Sequence, residues 1–216
     1  MQMKRNTQPN TGAFKPSILV RELHAGHRER IREHLLSLGE EDRRLRFGML
    51  ANDDVVNHYV DGLNFARDSV FAVFDEKLEI IGMAHLAYQG APSTTKNSTA
   101  EFGVSVSEDG RGLGVGTALF QRAAIHCRNT SVGVLYVHCL SSNAAMMHIA
   151  KKAGMSIEYA YGEADAYLRL PPGDKSTLMA EAQQEKAAEV DYSIKENVRR
   201  AKKISATLWK MPTFAI

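Results

Sequence analysis

Cysteine is scarce in this chain. Cys127 and Cys139 are the only two, and they fall in a helix-like and a strand-like stretch rather than in a C-x-x-C pair. That excludes a disulfide framework and a structural zinc site, so no metal is expected. Two small buried hydrophobes in a reducing compartment is the plain reading, and a cytoplasmic location goes with it. Long apolar runs are missing too. None approaches the roughly 20 residues needed to cross a bilayer, so no membrane partner is expected. The segment Met1–Lys15 carries basic residues but no apolar core. It reads as a flexible leader over residues 1–16, not as a secretory signal. Excess charge of one sign is also absent. Lys and Arg number 27 against 25 Asp and Glu, a net charge of +2, too little basic bias for a nucleic-acid partner. There is no internal repeat.

What remains is an ordinary soluble composition, 44% hydrophobic and 24% charged over 216 residues. That suffices for one sizeable core plus an extension. Ser17–Leu23 is a short β-like run. Ala25–Leu38 and Glu40–Phe47 favour helix and are broken at Gly39. Asp53–Phe65 places Val55, Val56, Tyr59, Val60 and Leu63 at helical spacing. Ser69–Phe74 and Leu78–Tyr88 read as a hairpin turning at Asp75–Lys77, and Gly90–Ser98 reads as a loop. Thr99–Ser107 is the next strand, Gly110–Gly116 a glycine-dense turn opening a helix, and Val132–Leu140 a strong strand. Asn143–Ala153 is a short helix stopped at Gly154. Ser156–Tyr161 and Ala164–Leu170 form a terminal hairpin, closed by Pro171-Pro172-Gly173.

The main domain is therefore expected over 17–172, and a helical extension over 173–216. In the extension Val190, Ile194, Val198, Ala201, Ile204 and Leu208 recur every three or four residues. Such a stripe gains its stability from packing. Docking on its own domain and a homodimer contact both satisfy it, as they do the apolar end Trp209–Ile216.

The glycine turn carries the chemistry. A strand, a glycine turn and a helix start form an anion-binding device, because the first-turn N–H groups lack partners and the helix dipole favours negative charge. Glycines let the backbone approach phosphate oxygens, and Arg111 adds a permanent cation. A nucleotide-triphosphate loop needs Gly-Lys-Ser/Thr, but Gly116 is followed by Thr117 and Ala118. A dinucleotide fold needs G-x-G-x-x-G, and Gly112-Leu113-Gly114-Val115-Gly116 has other spacing.

Ala100 to Leu119 (AEFGVSVSEDGRGLGVGTAL) resembles the core of the GNAT acetyltransferases: a strand, a Gln/Arg-x-x-Gly-x-Gly/Ala turn, and a helix. Arg111, Gly114 and Gly116 fill that pattern. Asn143 to Met155 (NAAMMHIAKKAGM) resembles the family's second signature, which runs from Asn through a short helix to Gly and an apolar residue. Both lie in the family's order, and the resemblance covers about Ser17 to Leu170. It implies the α+β GNAT fold, a mixed and mostly antiparallel sheet of six to seven strands flanked by helices. It also implies acetyl-CoA as cosubstrate and an amine as acceptor. Backbone groups at Val104, Ser105 and Val106 would pair with the pantetheine arm. The amides of Arg111, Gly112, Leu113, Gly114, Val115, Gly116 and Thr117 would hold the pyrophosphate, and Asn143 would bond near the pantetheine. In the family these two strands splay and admit the thioester. Glu101 matches the acidic residue that many members use as general base.

The chain departs from the family at Ala150, where many members carry a tyrosine acid. Tyr159, Tyr161 and Tyr167 are the fallback donors, with water as the alternative. The departure, with Ala100-Glu101-Phe102 and the Leu38–Phe47 stretch (LGEEDRRLRF), resembles the acetyltransferase module of bacterial protein lysine acetyltransferases. That implies a protein lysine as acceptor. A small-molecule amine and a non-catalytic acyl-CoA sensor or scaffold are the alternatives. The remaining tempting residues have plain readings. His24, His27 and His34 read as solvent-facing, because no acid set completes a metal site. His85 and His138 read as satisfied strand histidines. Arg43, Arg44 and Arg46 read as a solvated helix face, with an acidic substrate or phosphate as the sharper alternative.

Overall fold

The computed structural model describes residues 18–89 and 98–209. The expected leader lies outside them, as do the expected loop Gly90–Ser98 up to residue 97 and the apolar end Trp209–Ile216 from residue 210, while Ser98 already belongs to a strand and Trp209 to the final helix. The first elements among the described residues are a two-residue strand β1 (Arg21–Glu22), shorter than the run expected at Ser17–Leu23, and a single 3-10 turn (Ala25–His27). Three helices follow: α1 (Arg28–Ser37), α2 (Glu40–Phe47) and α3 (Asp53–Gly62). Each has a sequence cause. Ile31 and Leu35 of α1 are buried one turn apart. Acids fill the first turn of α2 and Arg44 and Arg46 the last, complementing the helix dipole. Asn52 caps α3 by accepting from the Val55 amide at 3.0 Å.

Strands β2 (Ser69–Phe74), β3 (Ile80–Gln89) and β4 (Ser98–Val106) form an antiparallel meander. A glycine loop leads into α4 (Val115–Asn129), then come β5 (Val132–Leu140) and α5 (Ala144–Lys152). β6 (Ser156–Ala160) and β7 (Glu163–Arg169) make the last hairpin. The seven strands order as β1-β2-β3-β4-β5-β7-β6. Only β4 and β5 are parallel. Their register starts at Ser98↔Val132 and ends at Glu101↔Tyr136, yet β4 runs on to Val106 and β5 to Leu140. Beyond Glu101 and Tyr136 the two strands part.

The sheet is covered on both faces. Phe71, Leu86, Phe102, Leu119 and Leu135 centre one core, under α4 and α5. Ile31, Leu35, Val56, Val60 and Met83 centre the other, under α1 and α3. Full burial of such a side chain contributes about 1.5–3 kcal/mol. The alternation along β4 divides it chemically. Ala100 and Phe102 enter the α4 core, while Glu101, Gly103 and Ser105 face α1 and α2.

The final helix, α6 (Lys175–Trp209), has 35 residues. The described part of its expected apolar stripe is not what docks, and the side chains of Ile204 and Leu208 lie outside the described residues. Val190, Ile194 and Val198 are about half exposed. Docking uses a more polar face: Glu181 and Glu185 hold the Arg122 guanidinium at 2.6 and 3.1 Å, and Tyr192 lies over Arg21. Arg122 is 2% exposed, so an acidic partner outweighs an apolar one at this contact. Glu22, His126 and Glu181 sit close enough to hold a cation, but Arg122 already fills that role for both acids. No helix among the described residues is long and apolar enough to cross a membrane.

Candidate active site

The glycine loop opens α4 with no side-chain cap. Gly112 and Gly114 take φ of +72° and +90°, a region side-chain-bearing residues avoid. Gly112, Leu113 and Gly114 donate no hydrogen bond among the described residues. An uncapped helix start beside free loop amides fits a phosphate group. Arg111 stands next to it, paired with Asp42 of α2.

A cleft of about 560 Å³ runs from this loop between β4, α2 and α5. The structure brings to its walls Val104, Ser105, Val106, Arg111, Gly112, Gly114, Val115, Gly116, Thr117 and Asn143. Leu113 is the exception among the expected binding residues, with its side chain 63% exposed and turned away. Asn143 caps α5, accepting from the Met146 amide at 3.0 Å. Its Nδ2 is the atom left over, directed at the Leu45 carbonyl at a long 3.5 Å. Ala150 is fully buried and packs in the core.

Below Ser105 lies His34, 3% exposed. Burial lowers its pKa to about 4, so the ring is neutral. One nitrogen meets the Ile80 carbonyl at 2.8 Å and the other the Ser105 hydroxyl at 2.9 Å. The carbonyl can only accept, so Nδ1 carries the proton and Nε2 accepts from Ser105. His34 and His27 are thus buried, not solvent-facing as the sequence suggests. His34 shares the inward stripe of Ile31, Leu35 and Leu38, which was the available signal.

Nor is the arginine cluster a solvated face. Only Arg44 fits that description, paired with Glu41 on its own helix. Arg43 turns back onto the Leu36 and Leu38 carbonyls and Asp53. Arg46 enters the cleft and lies against Gly103, where a Cβ would come within 2.9 Å of its guanidinium carbon. Its Nη2 donates to the Tyr59 hydroxyl at 2.6 Å, and that oxygen is 2.8 Å from His85 Nδ1. Burial lowers His85 to a pKa of about 4, so it is neutral. Because Arg46 can only donate, the Tyr59 oxygen accepts from it and the Tyr59 O–H donates to His85 Nδ1. Nε2–H then faces Asp68 at 3.4 Å.

Glu101 is half-buried on β4, beside Ala87 on one side and Tyr136 on the other. It stands where β4 and β5 part and is not among the cleft's lining residues. Across the gap, Tyr136 donates to Asp165 Oδ1 at 2.7 Å, and His138 Nδ1 meets the same oxygen at 2.7 Å. The hydrogen bond to Asp165 raises the His138 pKa. Asp165 is held low by Tyr136 first and then by His138. Sequence reasoning missed this cluster. Its signal was the period-two polar series Tyr136, His138 on an otherwise apolar strand. The fallback tyrosines are unequal: Tyr161 is fully exposed, Tyr159 is 59% exposed, and Tyr167 stacks on Tyr136 with centroids 5.0 Å apart.

No curated protein sequence matches the chain significantly. Solved structures do. The GNAT domain of S. lividans PAT is 20% identical, with a TM-score of 0.59 over 71% of this chain and 95% of that one. Ribosomal-protein-alanine N-acetyltransferase from Brucella melitensis is 17% identical, with a TM-score of 0.53 over 70% and 99%. Spermidine N-acetyltransferase from Vibrio cholerae, solved with CoA and spermine, is 18% identical, with a TM-score of 0.53 over 69% and 94%. At these identities the likeness is one of fold. The model of the acetyltransferase (GNAT) family matches residues 32–155. With that match spanning over half of the chain, and the fold in agreement, the chain belongs to the acetyltransferase (GNAT) family, the acyl-CoA-dependent N-acyltransferases.

Proposed function

We propose that this chain transfers an acetyl group from acetyl-CoA to a primary amine, a protein lysine foremost, with Glu101 as general base. The observation that carries the reading is the parting of β4 and β5 beyond Glu101 and Tyr136, at one end of a cleft whose other end is the uncapped glycine loop. In this reading the amides of Arg111–Thr117 hold the pyrophosphate, and Arg111 adds charge to it. Backbone groups of Val104–Val106 pair with the pantetheine arm as an added strand would. Asn143 meets the same arm.

Glu101 takes the proton that a lysine-like ammonium must lose before it can attack, directly or through a water. The nitrogen then bonds to the thioester carbon, and strand amides near Val104–Val106 face the oxygen that gains charge. The C–S bond breaks, the thiolate leaves, and the nitrogen gives up its second proton to water as the amide forms. A thiol of pKa near 8.5 needs no tyrosine acid at position 150 and can take its proton from water.

Mixing the protein with acetyl-CoA and a panel of lysine peptides and small amines, while following free thiol, tests this. Thiol release with a lysine peptide is expected. Release only with small amines removes the protein-lysine acceptor. Coenzyme binding with no release on any acceptor moves the reading to a sensor.

A further inference from the structure

Arg46 is not absorbed by the chemistry above. It stands in the cleft over β4, with no carboxylate in ion-pair contact among the described residues. Among the described residues its neighbours on α2 and the glycine loop all have acids: Arg43 has Asp53, Arg44 has Glu41, and Arg111 has Asp42. Arg46 has none. Its anchors are a tyrosine hydroxyl and two aromatic rings, with Phe47 and Tyr59 centroids 5.2 and 5.1 Å away. Only Nη2 is used in that anchorage. Nε is buried without a partner. Nη1 makes no hydrogen bond among the described residues, and the outer edge of a guanidinium, Nη1 with the second proton of Nη2, matches a carboxylate in two-point geometry.

The position selects the source of the carboxylate. Asp42, one turn earlier on α2, reaches the glycine loop through Arg111. Along β4, Val106 packs against Gly110 and Gly116 of the loop, whereas Arg46 lies over Gly103, three residues back towards Glu101, and so marks the other end of the same cleft. Resting on the coenzyme reading given above, that end receives the acyl group. Arg46 lines the cleft, whereas Glu101, which serves the acceptor, does not.

We propose that Arg46, held by the Tyr59 hydroxyl and through it by His85, forms a carboxylate subsite at the acyl end of the cleft, so that besides acetyl-CoA the site admits CoA thioesters of short dicarboxylic acids, and binds them more tightly than neutral thioesters of the same length. Gly103 belongs to the subsite, since any side chain there would displace the fork.

Calorimetric titration of the full chain with CoA, butyryl-CoA and freshly prepared succinyl-CoA tests it without any acceptor. Butyryl is the neutral near-isostere of succinyl, so the pair isolates the carboxylate. Succinyl-CoA is expected to bind about tenfold more tightly than butyryl-CoA, as one charge-assisted contact would give. In R46Q that ratio is expected to collapse towards one. Equal or weaker binding of succinyl-CoA to the unsubstituted chain, while CoA itself binds, overturns the subsite and leaves the coenzyme reading standing. A folded R46Q that keeps the preference also overturns it. If R46Q does not fold, the two thioesters on the unsubstituted chain still decide. No heat with CoA at all brings down the coenzyme reading, and the subsite with it.

Discussion

The two ends of the cleft are built by different means. At one end, groups contiguous in sequence make the device: Arg111 to Thr117 supply a cation, free amides and a helix start within a single turn. At the other, Arg46 from α2, Tyr59 from α3, Asp68 from the segment before β2, and His85 and Gly103 from neighbouring strands meet only because the sheet is folded. The first end is a local backbone conformation. The second is a tertiary cluster, hydrogen-bonded from Arg46 through Tyr59 to His85, whose polarity follows from one residue that can only donate. Binding strength can thus be set at the loop, and selectivity at the far end, by substitutions that share no side-chain contact.

The sharpest test of the far end is chemical. Glu101→Gln should reduce turnover about a hundredfold or more while coenzyme still binds, because only proton removal is lost. Unchanged turnover in a steady-state thiol assay would remove Glu101 from the mechanism.

Acid should act next, on the far end through His85 and beyond it through two other buried histidines. His27, His34 and His85 titrate near pH 4 in the folded chain and near 6.5 when unfolded. As the pH falls between those values, the unfolded chain binds protons that the folded chain refuses. Stability therefore declines across this window, by roughly 1 kcal/mol for each histidine per pH unit. Urea midpoints measured from pH 7 to 4.5 check it. A flat profile would mean that these rings are protonated in place.

At the loop end, Arg111→Gln should weaken CoA binding about tenfold. The loss should shrink at high salt, since Arg111 is half exposed. Asp42→Asn should act in the opposite direction and more weakly. It frees Arg111 from an exposed pair worth under about 1 kcal/mol, so CoA should bind a few-fold more tightly. Looser binding in Asp42→Asn would show that Asp42 shapes the loop instead of competing for it.

The same contrast explains what could be read from the sequence. α2, β2 and β5 begin and end where propensity and turn residues put them, and the seven-strand mixed sheet follows the family resemblance. The glycine loop was legible because its information is consecutive. His34 was misread because a histidine's burial depends on partners, here Ile80 and Ser105, that lie far along the chain. For α6 the periodicity was visible but not the docking face. The buried cation that selects Glu181 and Glu185 sits on another helix, and nothing in the stripe of Val190, Ile194 and Val198 announces it.

The parting of β4 and β5 leaves an edge in the middle of the sheet. From Phe102 to Val106, the groups of β4 that turn away from β3 have no strand to meet. A ligand threaded there finishes the sheet, so association also completes secondary structure. Amide hydrogens along that stretch should exchange with solvent quickly in the free protein and slowly once the gap is filled, making the ligand an eighth strand that comes and goes.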